Sequence, residues 1–136
     1  MSAFAAIRMG FDVAVLEKET GSPAGMISTA ELIGTPSNKK LLKKLAAITD
    51  VITLENEFID YRILEYLESL GCRVFPSSAT IAMIQDKLIQ KQTLQKHKIP
   101  LPKFTAVNHK YDFERTANEL KLPFVLKSRK MGYDGY

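Results

Sequence analysis

The sequence predicts an α/β fold built on parallel strands, and three observations carry that prediction. Short apolar runs, Val13-Ala14-Val15-Leu16 and Val51-Ile52-Thr53-Leu54, alternate with segments whose apolar residues recur at helical spacing. The connections between them are short, which is the pattern of strand–helix–strand units. One stretch, Ile99-Pro100-Leu101-Pro102, breaks the alternation. Proline there removes backbone donors and forbids helix, so the chain divides into residues 1–98 and 99–136.

The elements follow in order. Residues 2–9 predict a helix, with Phe4, Ile7 and Arg8 on neighbouring turns and Gly10 as its stop. Val13 to Leu16 predicts a buried strand ending at Glu17, and Thr20 to Gly25 a loop rich in glycine, serine and proline. Glu31 to Ile33 predicts a short strand. Pro36-Ser37 opens a helix to about Ala47, with Ser37 as its cap. Val51 to Leu54 is the next strand and ends at Glu55. Asp60 caps a helix carrying Ile63, Leu64, Leu67 and Leu70, which Gly71 closes. Arg73 to Phe75 predicts a strand, and Ser78 to Lys96 one long helix. Beyond the proline linker come a helix near residues 111–120 and a strand from Phe124 to Leu126.

Composition narrows the function classes. A hydrophobic share of 46% with 25% charged residues fits a folded globular chain rather than a disordered one. The net charge of +4 resides largely in two clusters. Lys39, Lys40, Lys43 and Lys44 read as the solvated face of a helix whose other face is Leu41, Leu42 and Leu45. No aromatic residues interleave with those lysines, which argues against a nucleic-acid surface. The second cluster, Lys127, Arg129 and Lys130, is a candidate phosphate-binding group. Cys72 is the only cysteine and admits no internal disulfide. With no apolar run near the ~18 residues of a membrane span and no secretory leader pattern, the expected location is the cytoplasm.

Chemistry concentrates at the C-terminal end. A strand delivers Lys127, and the basic, glycine-punctuated stretch Ser128 to Tyr136 follows. Such a loop can bring backbone N–H groups to phosphate oxygens while the ammonium neutralises them. The same residues also read as a hairpin tip, because Asp134-Gly135 is a strong turn signal. Glu55 and Glu57 lie at a strand end, where ligands of open α/β sheets gather. They can accept hydrogen bonds from ribose or amine groups, or serve as ordinary loop acids. Glu17 lacks the upstream glycine fingerprint of a ribose-binding acid and reads as a solvated loop residue. Gln85, Asp86, Lys87 and Lys91 fall on one predicted helix, with Lys87 and Lys91 one turn apart on a shared face. His97 and His109 have no partner at metal-ligand spacing, so no metal is expected on them.

Together these segments resemble the N-terminal part of the ATP-grasp ligases, and within them the 5-(carboxyamino)imidazole ribonucleotide synthase family. Thr53-Leu54-Glu55-Asn56-Glu57 resembles that family's strand end with two glutamates. Gln85-Asp86-Lys87-Leu88 with Lys91 resembles its helix signature, in which the position of Lys87 is commonly arginine. Ile99 to Pro102 matches the entry to the ATP-grasp domain, Lys127 the phosphate-binding strand lysine, and Gly132-Tyr133-Asp134-Gly135 the loop over the phosphates. Phe58 stands where asparagine is common, and Tyr136 where lysine or arginine is.

The resemblance implies an incomplete Rossmann-like parallel sheet, the pre-ATP-grasp domain, over residues 1–98 without its first strand. The start of a truncated ATP-grasp domain follows over residues 99–136. It implies ATP as cofactor, held by Lys87, Lys127, Gly132, Tyr133, Asp134 and Gly135. It implies 5-aminoimidazole ribonucleotide and bicarbonate as partners, the former facing Glu55, Glu57, Tyr133 and Asp134. Magnesium ligands, the catalytic residues and a homodimer surface are expected in the remainder of a longer protein, and the 136 residues alone are expected to be inactive. Two other readings stay open: a different ATP-grasp ligase, of the formate-dependent glycinamide ribonucleotide transformylase or carboxylase type, and a non-catalytic nucleotide-binding module.

Overall fold

Apolar residues at spacing two or three to four select strand or helix here, and small polar caps set the boundaries. A computed structural model describes residues 1–130 and 132. The chain divides into two units, Met1–Ile81 and Ala82–Tyr136.

In the first unit, α1 (Ser2–Arg8) leads to β1 (Ala14–Glu17). A single 3₁₀ turn at Gly25–Ile27 then precedes β2 (Ala30–Ile33). β1 and β2 pair in parallel, Ala14 opposite Ala30 through Glu17 opposite Ile33. All four β1 residues are half-buried rather than buried. Helix α2 (Lys39–Ile48) packs against β1. Its four lysines are exposed while Leu42 and Leu45 are buried, as the charge pattern predicts. Its cap is Asn38, not Ser37: Asn38 Oδ1 accepts from the N–H of Lys40 at 3.0 Å and of Leu41 at 3.4 Å. The Ser37 hydroxyl instead pairs with Thr35 at 3.1 Å, so the helix starts one residue later.

The strand β3 (Val51–Thr53) and the strand β4 (Arg73–Phe75) are joined by α3 (Tyr61–Ser69), the predicted strand–helix–strand unit. They pair in parallel with Ile52 opposite Val74. Those two side chains are buried, and both neighbours of each are exposed. Asp60 caps α3 as predicted, its Oδ1 accepting from Arg62 N–H at 3.0 Å. On the inner face of α3, Leu64 is 0% and Leu67 2% exposed, and with Ile52, Val74 and Ile81 they form the core. Each such side chain contributes roughly 1.5–3 kcal/mol by leaving water. The predicted single sheet is therefore present as two separate parallel pairs, β1–β2 and β3–β4, among the described residues.

The predicted helix 78–96 is two helices, α4 (Ser78–Ile84) and α5 (Lys87–Lys96). The break has a local cause. Asp86 is extended (φ −110°, ψ 107°), and its carboxylate accepts from Leu88 and Ile89 N–H. That side chain competes for the donors a continuous helix would have used. In the second unit, α5 leads through the non-helical stretch around Pro100 and Pro102 to α6 (Asp112–Leu120). Residues 124–126 form no strand among the described residues, and Val125 and Leu126 are exposed. An apolar run becomes a strand only when a partner ladder satisfies its N–H and C=O groups. No helix among the described residues is long and apolar enough to cross a membrane.

Candidate functional site

The start of α5 and the stretch after Lys127 meet inside the second unit. The local reason lies in Asp86. Its carboxylate caps α5, with Oδ1 accepting from Leu88 N–H at 3.0 Å and Ile89 N–H at 3.3 Å. The same carboxylate receives a two-pronged guanidinium. Arg129 Nε donates to Oδ1 at 3.1 Å and Nη2 to Oδ2 at 2.6 Å. Four donors thus converge on one carboxylate that is 2% exposed, while Arg129 keeps about half its side chain in solvent, at 52%. Arg129 holds the Asp86 carboxyl below its ordinary value, with help from the two backbone donors and against burial. Asp86 in turn raises the Arg129 guanidinium.

Lys87 adds two further ties. Its backbone N–H donates to Arg129 O at 2.9 Å, and its Nζ donates to Gly132 O at 3.1 Å. A side chain at position 132 would run into the Ser128 hydroxyl and crowd the Lys87 ammonium, so anything larger than glycine displaces one of them. Lys127 is exposed and two residues from Arg129, so their Cα atoms lie within about 7 Å. Lys87 and Gly132 are in direct contact, and Lys127 belongs to the same short segment. The arrangement presents the Lys87 ammonium beside a glycine-bearing backbone, with Lys127 in the adjoining segment, a donor set suited to phosphate oxygens. Further along α5, Lys91 Nζ sits 5.4 Å from the Phe104 ring centroid, in cation–π range, so its ammonium is turned onto an aromatic face.

Glu55 and Glu57 lie in the first unit, on the exposed turn after β3. Asn56 shapes that turn, its Oδ1 accepting from Phe58 N–H at 3.0 Å. Tyr133, Asp134 and Gly135 lie outside the described residues. From the sequence, Lys87, Lys127 and Gly132 were phosphate candidates, Arg129 stood in the same basic cluster and Asp86 in the helix motif, but nothing linked Asp86 to Arg129. The available signal was an Asp in cap position directly before Lys87. Its arginine partner lies 43 residues away and no local pattern links them.

Comparison with known proteins places these features in context. The model for the ribonucleotide synthetase preATP-grasp domain matches residues 1–85, and the ATP-grasp domain model matches residues 92–136. The chain is 38% identical, over 99% of its length, to an N5-carboxyaminoimidazole ribonucleotide synthase of Synechococcus elongatus, and spans 34% of that relative. An N5-carboxyaminoimidazole ribonucleotide synthetase solved as an ADP complex matches with a TM-score of 0.89 at 32% identity. That match covers 98% of this chain and 35% of the other. The Aspergillus clavatus N5-carboxyaminoimidazole synthase, solved with ADP and 5-aminoimidazole ribonucleotide, matches with a TM-score of 0.81 at 31% identity. That match covers 95% of this chain and 35% of the other.

Proposed function

Because the chain belongs to the ribonucleotide synthetase preATP-grasp domain family, we propose that it supplies one side of the ATP site of an ATP-dependent carbon–nitrogen ligase. The reaction is carboxylation of 5-aminoimidazole ribonucleotide by bicarbonate, a step of purine biosynthesis. The observation that carries the reading is the Lys87 ammonium on Gly132 O, in the same unit as Lys127. Two cations and a side-chain-free backbone are what a polyphosphate needs. The ADP and 5-aminoimidazole ribonucleotide complexes of the relatives support the substrate class.

Phosphoryl transfer depends on charge neutralisation and alignment more than on covalent help from protein. Lys87 and Lys127 would neutralise phosphate oxygens of ATP. Gly132 would let backbone come close, and Tyr133, Asp134 and Gly135 are further candidates for ATP contact. A bicarbonate oxygen takes the γ-phosphoryl group of ATP, giving carboxyphosphate and ADP, and the substrate amine then captures the carboxyl carbon as phosphate leaves and the nitrogen gives up a proton. Carboxyphosphate hydrolyses readily, so exclusion of water protects it. Glu55 and Glu57 of the first unit are our candidates for contact with the aminoimidazole ribonucleotide, as are Tyr133 and Asp134, which lie outside the described residues. No group of three or more His, Cys, Asp or Glu that could hold a metal occurs among the described residues, so no magnesium step is assigned to them. The single thiol, Cys72, suits a reducing compartment, and we assign the protein to the cytoplasm.

The test uses the full-length gene product containing this sequence. Phosphate release from ATP is measured with bicarbonate, with and without 5-aminoimidazole ribonucleotide. Release that depends on the ribonucleotide, and that falls by 100-fold or more in Lys127→Ala, is expected. Release indifferent to the ribonucleotide would sink the substrate assignment.

A further inference from the structure

We propose that Asp86 and Arg129 form a positioning clamp that sets the phosphate-binding segment on the start of α5. This inference rests on the ATP-site reading above, and it gives roles to two residues that touch no phosphate in that reading. Three observations carry it. The first is geometric: the guanidinium meets the carboxylate with two donors, at 3.1 and 2.6 Å, which fixes orientation as well as distance. The second is the dual use of Asp86. The carboxylate that caps α5 also holds Arg129, so the helix start and residue 129 share one anchor. The third is what is attached to that anchor. Lys87 follows Asp86 directly, and its N–H and Nζ bind Arg129 O and Gly132 O. Lys127 precedes Arg129 by two residues. Both proposed phosphate cations are therefore one or two residues from the clamp.

The burial asymmetry shows why such a pair serves position. Asp86 is almost wholly buried and accepts four hydrogen bonds, so it has one stable orientation. Arg129 is half exposed and belongs to a segment with no regular secondary structure. A buried, fully bonded acceptor thus fixes a segment that has no strand or helix of its own to hold it. If Lys87 and Lys127 contact the same polyphosphate, an error of about 1 Å in the placing of the segment weakens both contacts at once.

The experiment uses the full-length gene product and two substitutions that spare the local fold. Asp86→Asn keeps an equally good helix cap but removes the charge and the fork. Arg129→Lys keeps the charge but removes the two-pronged geometry. Arg129→Ala is avoided, because it would leave a buried carboxylate without its partner. In each variant the KM for ATP is expected to rise about tenfold. The KM for 5-aminoimidazole ribonucleotide should change little, and the apo melting temperature at neutral pH should fall by no more than a few degrees. The double variant should be no worse than the weaker single one, since both break the same device. A lowered melting temperature with ATP KM within twofold of wild type would show a merely structural ion pair and overturn the proposal. Additive losses in the double variant would also overturn it, by showing two independent contacts. If the wild-type protein itself shows no ATP-dependent reaction, the ATP-site reading fails and takes this inference with it. If the wild type reacts and the variants match it, the clamp alone is refuted.

Discussion

At the scale of single residues, the candidate site is built from close approaches. Gly132 is the sharpest case. A methyl group there meets Ser128 Oγ and Lys87 Nζ, so one of the two must move. Gly132→Ala is expected to raise the ATP KM about tenfold in the full-length protein while leaving its melting temperature within a few degrees. An unchanged KM would remove Gly132 from the phosphate set. Lys87 offers a complementary test. Its ammonium contributes charge, and arginine carries the same charge on a longer arm. Lys87→Arg is expected to retain a substantial fraction of activity, whereas Lys87→Ala loses tenfold or more in kcat/KM for ATP. Equal losses in both variants would show that shape rather than charge is used. Lys87 and Gly132 were singled out from the sequence because short motifs carry them. The Asp86–Arg129 pair was not, because its members stand 43 residues apart and each looks ordinary alone.

At the scale of elements, capping decides the boundaries. Asn38 and not Ser37 starts α2, and Asp86 splits one predicted helix into two. Glu68 provides a less obvious cap. It projects from α3 to the start of α4, its Oε1 accepting from Ser78 N–H at 2.8 Å and its Oε2 from Ser78 Oγ at 2.5 Å. Apolar periodicity reveals none of these, since it reports faces and not ends. It did report the core, because Leu64 and Leu67 recur at helical spacing and both are buried. Leu64→Ala is expected to cost roughly 2–5 kcal/mol in a denaturant titration. A loss below about 1 kcal/mol would mean that the site collapses or is not core. Asn38→Ala should cost about 1 kcal/mol, the ordinary value of a lost cap.

At the scale of the whole molecule, acid is the expected weak point. Asp60, Glu68, Asp86 and Asp112 all titrate below their ordinary values in the folded chain. The leading causes are Arg62 for Asp60, Ser78 for Glu68, Arg129 for Asp86, and the backbone N–H of Asn108 for Asp112. A depressed folded pKa means that the unfolded chain takes up protons first. The stabilisation is then complete above the unfolded carboxylate values, and it is lost as pH falls through them toward the folded ones. The melting temperature should hold between about pH 7 and 5 and fall steadily below about pH 4.5. Asp86→Asn should flatten part of that fall. A melting temperature indifferent to pH down to 3 would contradict the carboxylate network.

By itself, the sequence determined the α/β class, the helical faces, the Asp60 cap, the parallel strand–helix–strand unit and the ATP-grasp resemblance. All of these rest on local spacing or short motifs, where chain connectivity already brings the residues together. Only the tertiary structure decided that the strands pair as two separate ladders and that residues 124–126 stay unpaired among the described residues. It also decided that one buried carboxylate joins α5 to the segment after Lys127. Strand pairing and buried ion pairs depend on which distant groups arrive to satisfy a donor or a charge.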